Sequence, residues 1–226
     1  MKLIHENLLI EAFEIAQALK KVYGIDSEII EKDFKGVFKP LPEFDGYLCD
    51  LRNFREKLNI PNGKAVFAMT SRDLYAEDES KDDDWVFGSC LRIENISIAS
   101  TARLKRFNSE PSGTLKVPYK LYLKRLLTLA IHEIGHDVVQ AEHFQPAYYV
   151  NAETGHELRL GPHCTDPGCV MYEIIDIRAP KPEVEYMLLG KEKRFDAGLD
   201  DVIERMHPDW FCDKCKTSVV VDERYK

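Results

Sequence analysis

Apolar residues recur at helical spacing near the start of the chain. Leu8, Leu9, Ala12, Phe13, Ile15, Ala16 and Leu19 alternate with charged positions over residues 6–22. That pattern predicts an amphipathic helix, which Gly24 ends. Residues 25–30 are short and apolar enough for a strand, a loop with Pro40 and Pro42 follows, and 51–58 reads as helical. Asn62-Gly63 predicts a turn. The pattern then becomes that of strands. One covers 64–75, with Val66, Phe67, Ala68 and Met69 as its buried part. A second begins at Trp85-Val86-Phe87-Gly88, and a third spans 96–100 with Ile96 and Ile98 on one face and Ser97 on the other. The long apolar stretch from Tyr119 carries Leu126, Leu127, Leu129, Ala130 and Ile131. It is apolar almost all round, which predicts a buried helix. Beyond it, Tyr148-Tyr149-Val150 and His156-Glu157-Leu158 flank a turn and predict a hairpin. Strands leading into one central helix predict an α/β N-terminal half, and no internal repeat interrupts the pattern.

The composition is that of a globular chain: 226 residues, 44% hydrophobic and 31% charged. That length suits one domain or two subdomains sharing a cleft. A net charge of −8 argues against a nucleic-acid surface, which needs clustered positive charge. The acidic run 77–84 reads as a solvated loop. His5, Glu6 and Asn7 interrupt the apolar start, so no leader peptide is expected. No window approaches the ~18 apolar residues of a membrane span. The expectation is a cytoplasmic protein with no membrane and no nucleic-acid partner.

Chemistry concentrates on the buried helix, in His132-Glu133-Ile134-Gly135-His136. Imidazoles four residues apart share a helix face and can reach one zinc ion. Glu133 lies beside them, placed to take a proton from an attacking water and return it to a leaving amine. Four of the six cysteines form two close pairs, Cys164 with Cys169 and Cys212 with Cys215. In a reducing compartment that spacing reads as a closed four-thiolate zinc site, structural because it leaves no open position. Cys49 and Cys90 read as small buried hydrophobes. His5 and His207 read as surface or loop residues.

Together these motifs resemble the metzincin metallopeptidases: H-E-x-x-H, then a third histidine, then a methionine under the metal. His163-Cys164, Cys169 and Met171, followed by Cys212 and Cys215, resemble one branch in particular, the archaemetzincins. Val86-Phe87-Gly88 and Ser100, Thr101, Arg103 and Leu104 fall where that family has its third and edge strands, so the likeness spans roughly 50–215. It implies a mixed, twisted α+β or α/β sheet within a single catalytic domain over 1–226. An upper subdomain, about 1–138, would end in the active-site helix. A small lower subdomain, about 139–226, would be stapled by the second zinc. It also implies that an edge strand around 96–100 pairs with an extended peptide, and that Met171 forms the methionine turn. By composition alone Met171 is an ordinary core methionine, and Tyr172 a packing residue.

The pattern departs from the family after His136. Val139 stands where a glycine is usual, Glu142 where the third histidine is usual, and His143 one place later. There are 26 residues between His136 and His163, so 137–160 reads as an insertion. A second insertion falls between Met171 and Cys212. The third ligand is expected to be His163, with His143, His156 and Glu142 as rivals. If the helix continued past His136, His143 would lie about 10 Å along its axis, too far to share the ion.

The expected function is a zinc metallopeptidase with two zinc ions. The catalytic ion is held by His132, His136 and His163, with Glu133 as general base, and the substrate is a peptide or protein. A zinc-stabilised binding module without turnover, its cleft covered by the insertion, is the alternative. Hydrolysis of a non-peptide amide is a third reading.

Overall fold

The structure is a computed structural model that describes residues 1–75, 85–91, 94–106, 117–150, 157–174, 177, 185–188, 193–194 and 198–226. The acidic run 77–84 and His156 lie outside these. The chain divides into two compact units. The first comprises Met1–Arg106, Thr114–Val138 and Val221–Lys226, and the second Phe107–Gly113 and Val139–Val220.

The first unit opens with β1 (Lys2–His5), then α1 (Leu9–Tyr23) and β2 (Glu28–Glu31). Next come β3 (Lys39–Leu41), β4 (Gly46–Leu48), α2 (Phe54–Lys57), β5 (Val66–Thr70), β6 (Leu74–Tyr75), β7 (Trp85–Val86), β8 (Gly88–Leu91), β9 (Ile96–Ser100) and the long helix α3 (Tyr119–Val138). Five strands form one sheet in the order β2-β1-β5-β9-β8, and a second sheet runs β3-β4-β6-β7. In the first sheet β1 pairs in parallel with β2 and β5, and β5 with β9, while β8 alone is antiparallel. The architecture is mixed α/β, as the strand-then-helix pattern predicts.

Two expectations are corrected here. Residues 96–100 are not an edge strand: β9 is held between β5 and β8, and the end strands of this sheet are β2 and β8 among the described residues. Every residue of β9 is buried, Ser97 included, because helix α3 and the cluster of Ile4, Phe34, Phe54, Ala68 and Leu74 cover its two faces. His5 is not a surface residue. It ends β1 fully buried, its Nδ1 accepting the Leu8 N–H at 3.2 Å.

Helix α1 is amphipathic, but its buried stripe is Ala12, Ile15, Leu19 and Tyr23, and Leu9 and Phe13 are exposed. Gly24 stops it in the left-handed region at φ 70°. α1 lies against α3, where the Tyr23 hydroxyl donates to the Ile131 carbonyl at 2.7 Å. α3 packs in turn on β8 and β9. Burial on both sides explains why its sequence is apolar almost all round, with His132 and Glu133 among the buried residues.

The second unit contains β10 (Gln145–Val150), β11 (Glu157–His163), β12 (Glu185–Leu188), β13 (Lys193–Arg194), α4 (Leu199–Arg205) and α5 (Asp213–Thr217). The sheet order is β11-β10-β12-β13, antiparallel throughout. The expected hairpin is β10–β11, with Tyr149 opposite Leu158 and Val150 opposite Glu157. Among the described residues no helix is long and apolar enough to cross a membrane.

Candidate metal centres

In the first unit, one turn of α3 presents the histidine pair. The Nε2 atoms of His132 and His136 lie 3.1 Å apart, and their rings meet edge to face. Two imidazoles on one tetrahedral zinc, each bonded at about 2.0–2.1 Å, would place those atoms about 3.3 Å apart. The pair therefore has the aim and spacing of two ligands to one ion.

Glu133, one residue along, is buried beneath β8. Gly88 is what admits it: a Cβ there would stand 2.6 Å from Glu133 Oε1 and 2.6 Å from the Ile98 carbonyl oxygen. The Ser97 hydroxyl donates to the Glu133 backbone carbonyl at 3.4 Å. Burial lifts the Glu133 carboxyl to about 8, because a charge there has lost its water. Cys49 feels the same surroundings. Burial first, and then the Glu133 charge, push its thiol up to about 12, so it is an inert thiol.

In the second unit, His163 ends β11 and is buried. Cys164 follows it and pairs with Tyr172 in an isolated bridge, its N–H donating to the Met171 carbonyl at 2.9 Å. Met171 is fully buried. The loop between is tied by Asp166, whose carboxylate accepts the Gly168 N–H at 2.8 Å and contacts His207 Nε2 at 3.0 Å. His207 is otherwise half-exposed, as expected of a loop residue.

None of the six cysteines is in a disulfide. Cys164 and Cys212 sulfurs are 3.7 Å apart. Backbone N–H groups of Asp166 and Cys215 point at Cys164 and Cys212 sulfurs, both at 3.4 Å. Cys169 hydrogen-bonds to Cys164 and Cys215, and those bonds draw its thiol down to about 5 while the same contacts push Cys215 upward. Thiols gathered this closely have the donor chemistry of a metal site.

His143 joins this cluster, which the sequence reading did not foresee. The donor atoms of His143, Cys164, Cys212 and Cys215 all lie within 4.8 Å of one another. α3 ends at Val138, so His143 is carried off the helix, not seven residues further along it. Val139, in the usual glycine position, bridges to Val219, and the Gln140 N–H donates to the Ser218 carbonyl at 3.0 Å. No spacing rule could reveal this, because the contact spans 21 residues to Cys164 and 72 to Cys215. Glu142 is exposed.

No family model matches this chain, and no curated protein does. Solved structures do. The chain is similar to the archaemetzincin of Archaeoglobus fulgidus, solved in complex with malonate, at TM-score 0.55 and 20% identity over 97% of this chain and 100% of that one. The Methanopyrus kandleri archaemetzincin aligns at TM-score 0.52 and 22% identity, covering 96% and 92%. A zinc-dependent peptidase of Methanocorpusculum labreanum aligns at TM-score 0.53 and 17% identity, covering 96% and 98%.

Proposed function

We propose that this chain, built on the fold shared with the archaemetzincins, is a zinc-dependent metallopeptidase. The observation that carries the reading is the His132–His136 pair, its Nε2 atoms 3.1 Å apart with Glu133 buried beside it. His163, the histidine that precedes Cys164 in the motif, is the third ligand we assign beside His132 and His136 for the catalytic zinc. When bound, zinc lowers the pKa of water and polarises a carbonyl.

The chain's own residues supply the rest. Burial alone disfavours the Glu133 carboxylate, and the charge of a zinc bound beside it would favour that form again. So ionised, Glu133 would accept the proton of the attacking water at a carboxylate oxygen and deliver it to the leaving amine. Gly88 keeps the space that this carboxylate occupies. β8, one of the two end strands of the five-stranded sheet among the described residues, offers backbone groups to an extended peptide, which would add as a further strand. The cysteine cluster of the second unit, Cys164, Cys169, Cys212 and Cys215, would hold a second zinc. With no open position it fixes the chain around Met171 instead of doing chemistry.

Purified protein should contain about two zinc ions per chain. Glu133→Ala should keep the metal and lose peptide hydrolysis. A variant that cuts peptides as fast as the parent would refute the assignment. Val139 and Glu142, standing in the usual glycine and histidine positions, favour one second reading: a zinc-bearing module that binds peptides without cutting them. Zinc-replete protein with no turnover across a broad peptide library would select it.

A further inference from the structure

The second unit gathers five metal donors for an ion that takes four. His143 Nε2 lies 3.2 Å from Cys164 Sγ, 3.5 Å from Cys215 Sγ and 3.9 Å from Cys212 Sγ. Cys164 and Cys212 are 3.7 Å apart. Around a tetrahedral zinc with bonds of about 2.3 Å to sulfur and 2.0–2.1 Å to nitrogen, sulfurs sit about 3.8 Å apart and nitrogen lies about 3.6 Å from sulfur. The observed distances scatter about those values. A single ring nitrogen facing three sulfurs also exceeds what one hydrogen bond can use. Cys169 meets the same cluster, bonding to Cys164 and Cys215, with its sulfur accepting from the Cys212 and Met171 backbone.

The fold holds His143 in place. The Val139–Val219 bridge and the Gln140–Ser218 bond fasten the residues before it to the stretch just after Cys215. The Phe144 N–H closes a turn on the Ala141 carbonyl at 3.2 Å, and the Phe144 ring packs on the imidazole with centroids 5.4 Å apart.

We propose that the second zinc site has two overlapping ligand sets, which share Cys164, Cys212 and Cys215 and exchange Cys169 for His143 as the fourth ligand. The proposal rests on the reading that this unit binds zinc. The swap trades a thiolate for a neutral imidazole, so the ion stays four-coordinate when the Cys169 thiolate is lost.

Metal analysis of the full-length protein tests it. Parent and Cys169→Ser should each hold about two zinc ions per chain, and Cys169→Ser/His143→Ala about one. Retention of two in the double variant, or loss of one in Cys169→Ser alone, overturns the exchange. A parent with a single zinc overturns the two-zinc reading beneath it, and that result is distinct. If Cys169→Ser does not fold, His143→Ala serves alone. With every cysteine present it should release one of its two zinc ions to a chelator several-fold faster than the parent, and an unchanged rate overturns the proposal.

Discussion

Gly88 matters for the side chain it lacks. Alanine there would press on the Glu133 carboxylate and on the Ile98 carbonyl, and of the two only the carboxylate can move. Misplacing a catalytic group by about 1 Å can cost roughly 100-fold in rate. Gly88→Ala should therefore lower kcat by about that factor while circular dichroism reports an intact fold, and an unchanged kcat would break the link. Glu6 offers a second case. Its carboxylate accepts from Arg72 at 2.7 and 3.1 Å, from Thr70 at 3.2 Å and from the Phe34 N–H at 3.3 Å. Burial raises its pKa, but the Arg72 hydrogen bond and charge outweigh that and hold it below the ordinary value. Its stabilisation is thus present above the unfolded-state pKa of about 4.3 and disappears as pH falls through the lower folded value. Glu6→Gln should cost about 1–3 kcal/mol at neutral pH and flatten the acid limb of a Tm–pH curve. Curves that stay parallel would contradict it. At this scale the sequence revealed His132, Glu133 and His136 because their relation is local, one helical turn. It concealed His143 among the thiols and His5 in the core, because both placements depend on distant parts of the chain.

Among elements, helices were easier to read than strands. α1 and α3 carry three- and four-residue periodicity, and Gly24 announces where α1 stops. No heavy atom lies within 4 Å of a Cβ placed on Gly24, so Gly24→Ala meets only backbone strain at φ 70°. That should cost about 1 kcal/mol and lower Tm by about 2–4 °C for a chain of this size. A calorimetric scan checks it, and an unchanged Tm would show that the cap is relaxed. Strand order was not legible. The alternation of Ile96, Ser97 and Ile98 suggests one wet face, yet β9 is interior and Ser97 is buried. β1 passed unnoticed because four residues are too few to show a period. The β10–β11 pairing was legible from the aromatic and β-branched residues that flank the sequence Asn151–Gly155.

For the whole molecule, the two units lean on different forces. The first has a hydrophobic cluster with Phe34, Phe38 and Phe54 in mutual ring contact at 5.9–6.1 Å. The second brings together four buried cysteines, and we propose that an ion joins them. Chelation should therefore expose cleavage sites within 139–220 while fragments covering the first hundred residues persist, as mass spectrometry of a limited digest would record. Equal protection of both regions would deny the metal its supporting role. Composition indicated a globular chain with a real core. It could not announce that the Ala65 N–H bonds to the Arg224 carbonyl, returning the last residues to the first unit.

The parallel pairings of the five-stranded sheet also bear on how the protein comes into being. Lys2 stands opposite Val66, and Val66 opposite Ile96, so each pairing must close a long stretch of chain before it yields any contact. Long-range parallel pairing of this kind is intrinsically slow to form. α3 gains its platform only once β8 and β9 are in place. A newly made chain thus spends its early life without an organised histidine pair, and the metal site proposed for it can take shape only after its sheet has closed.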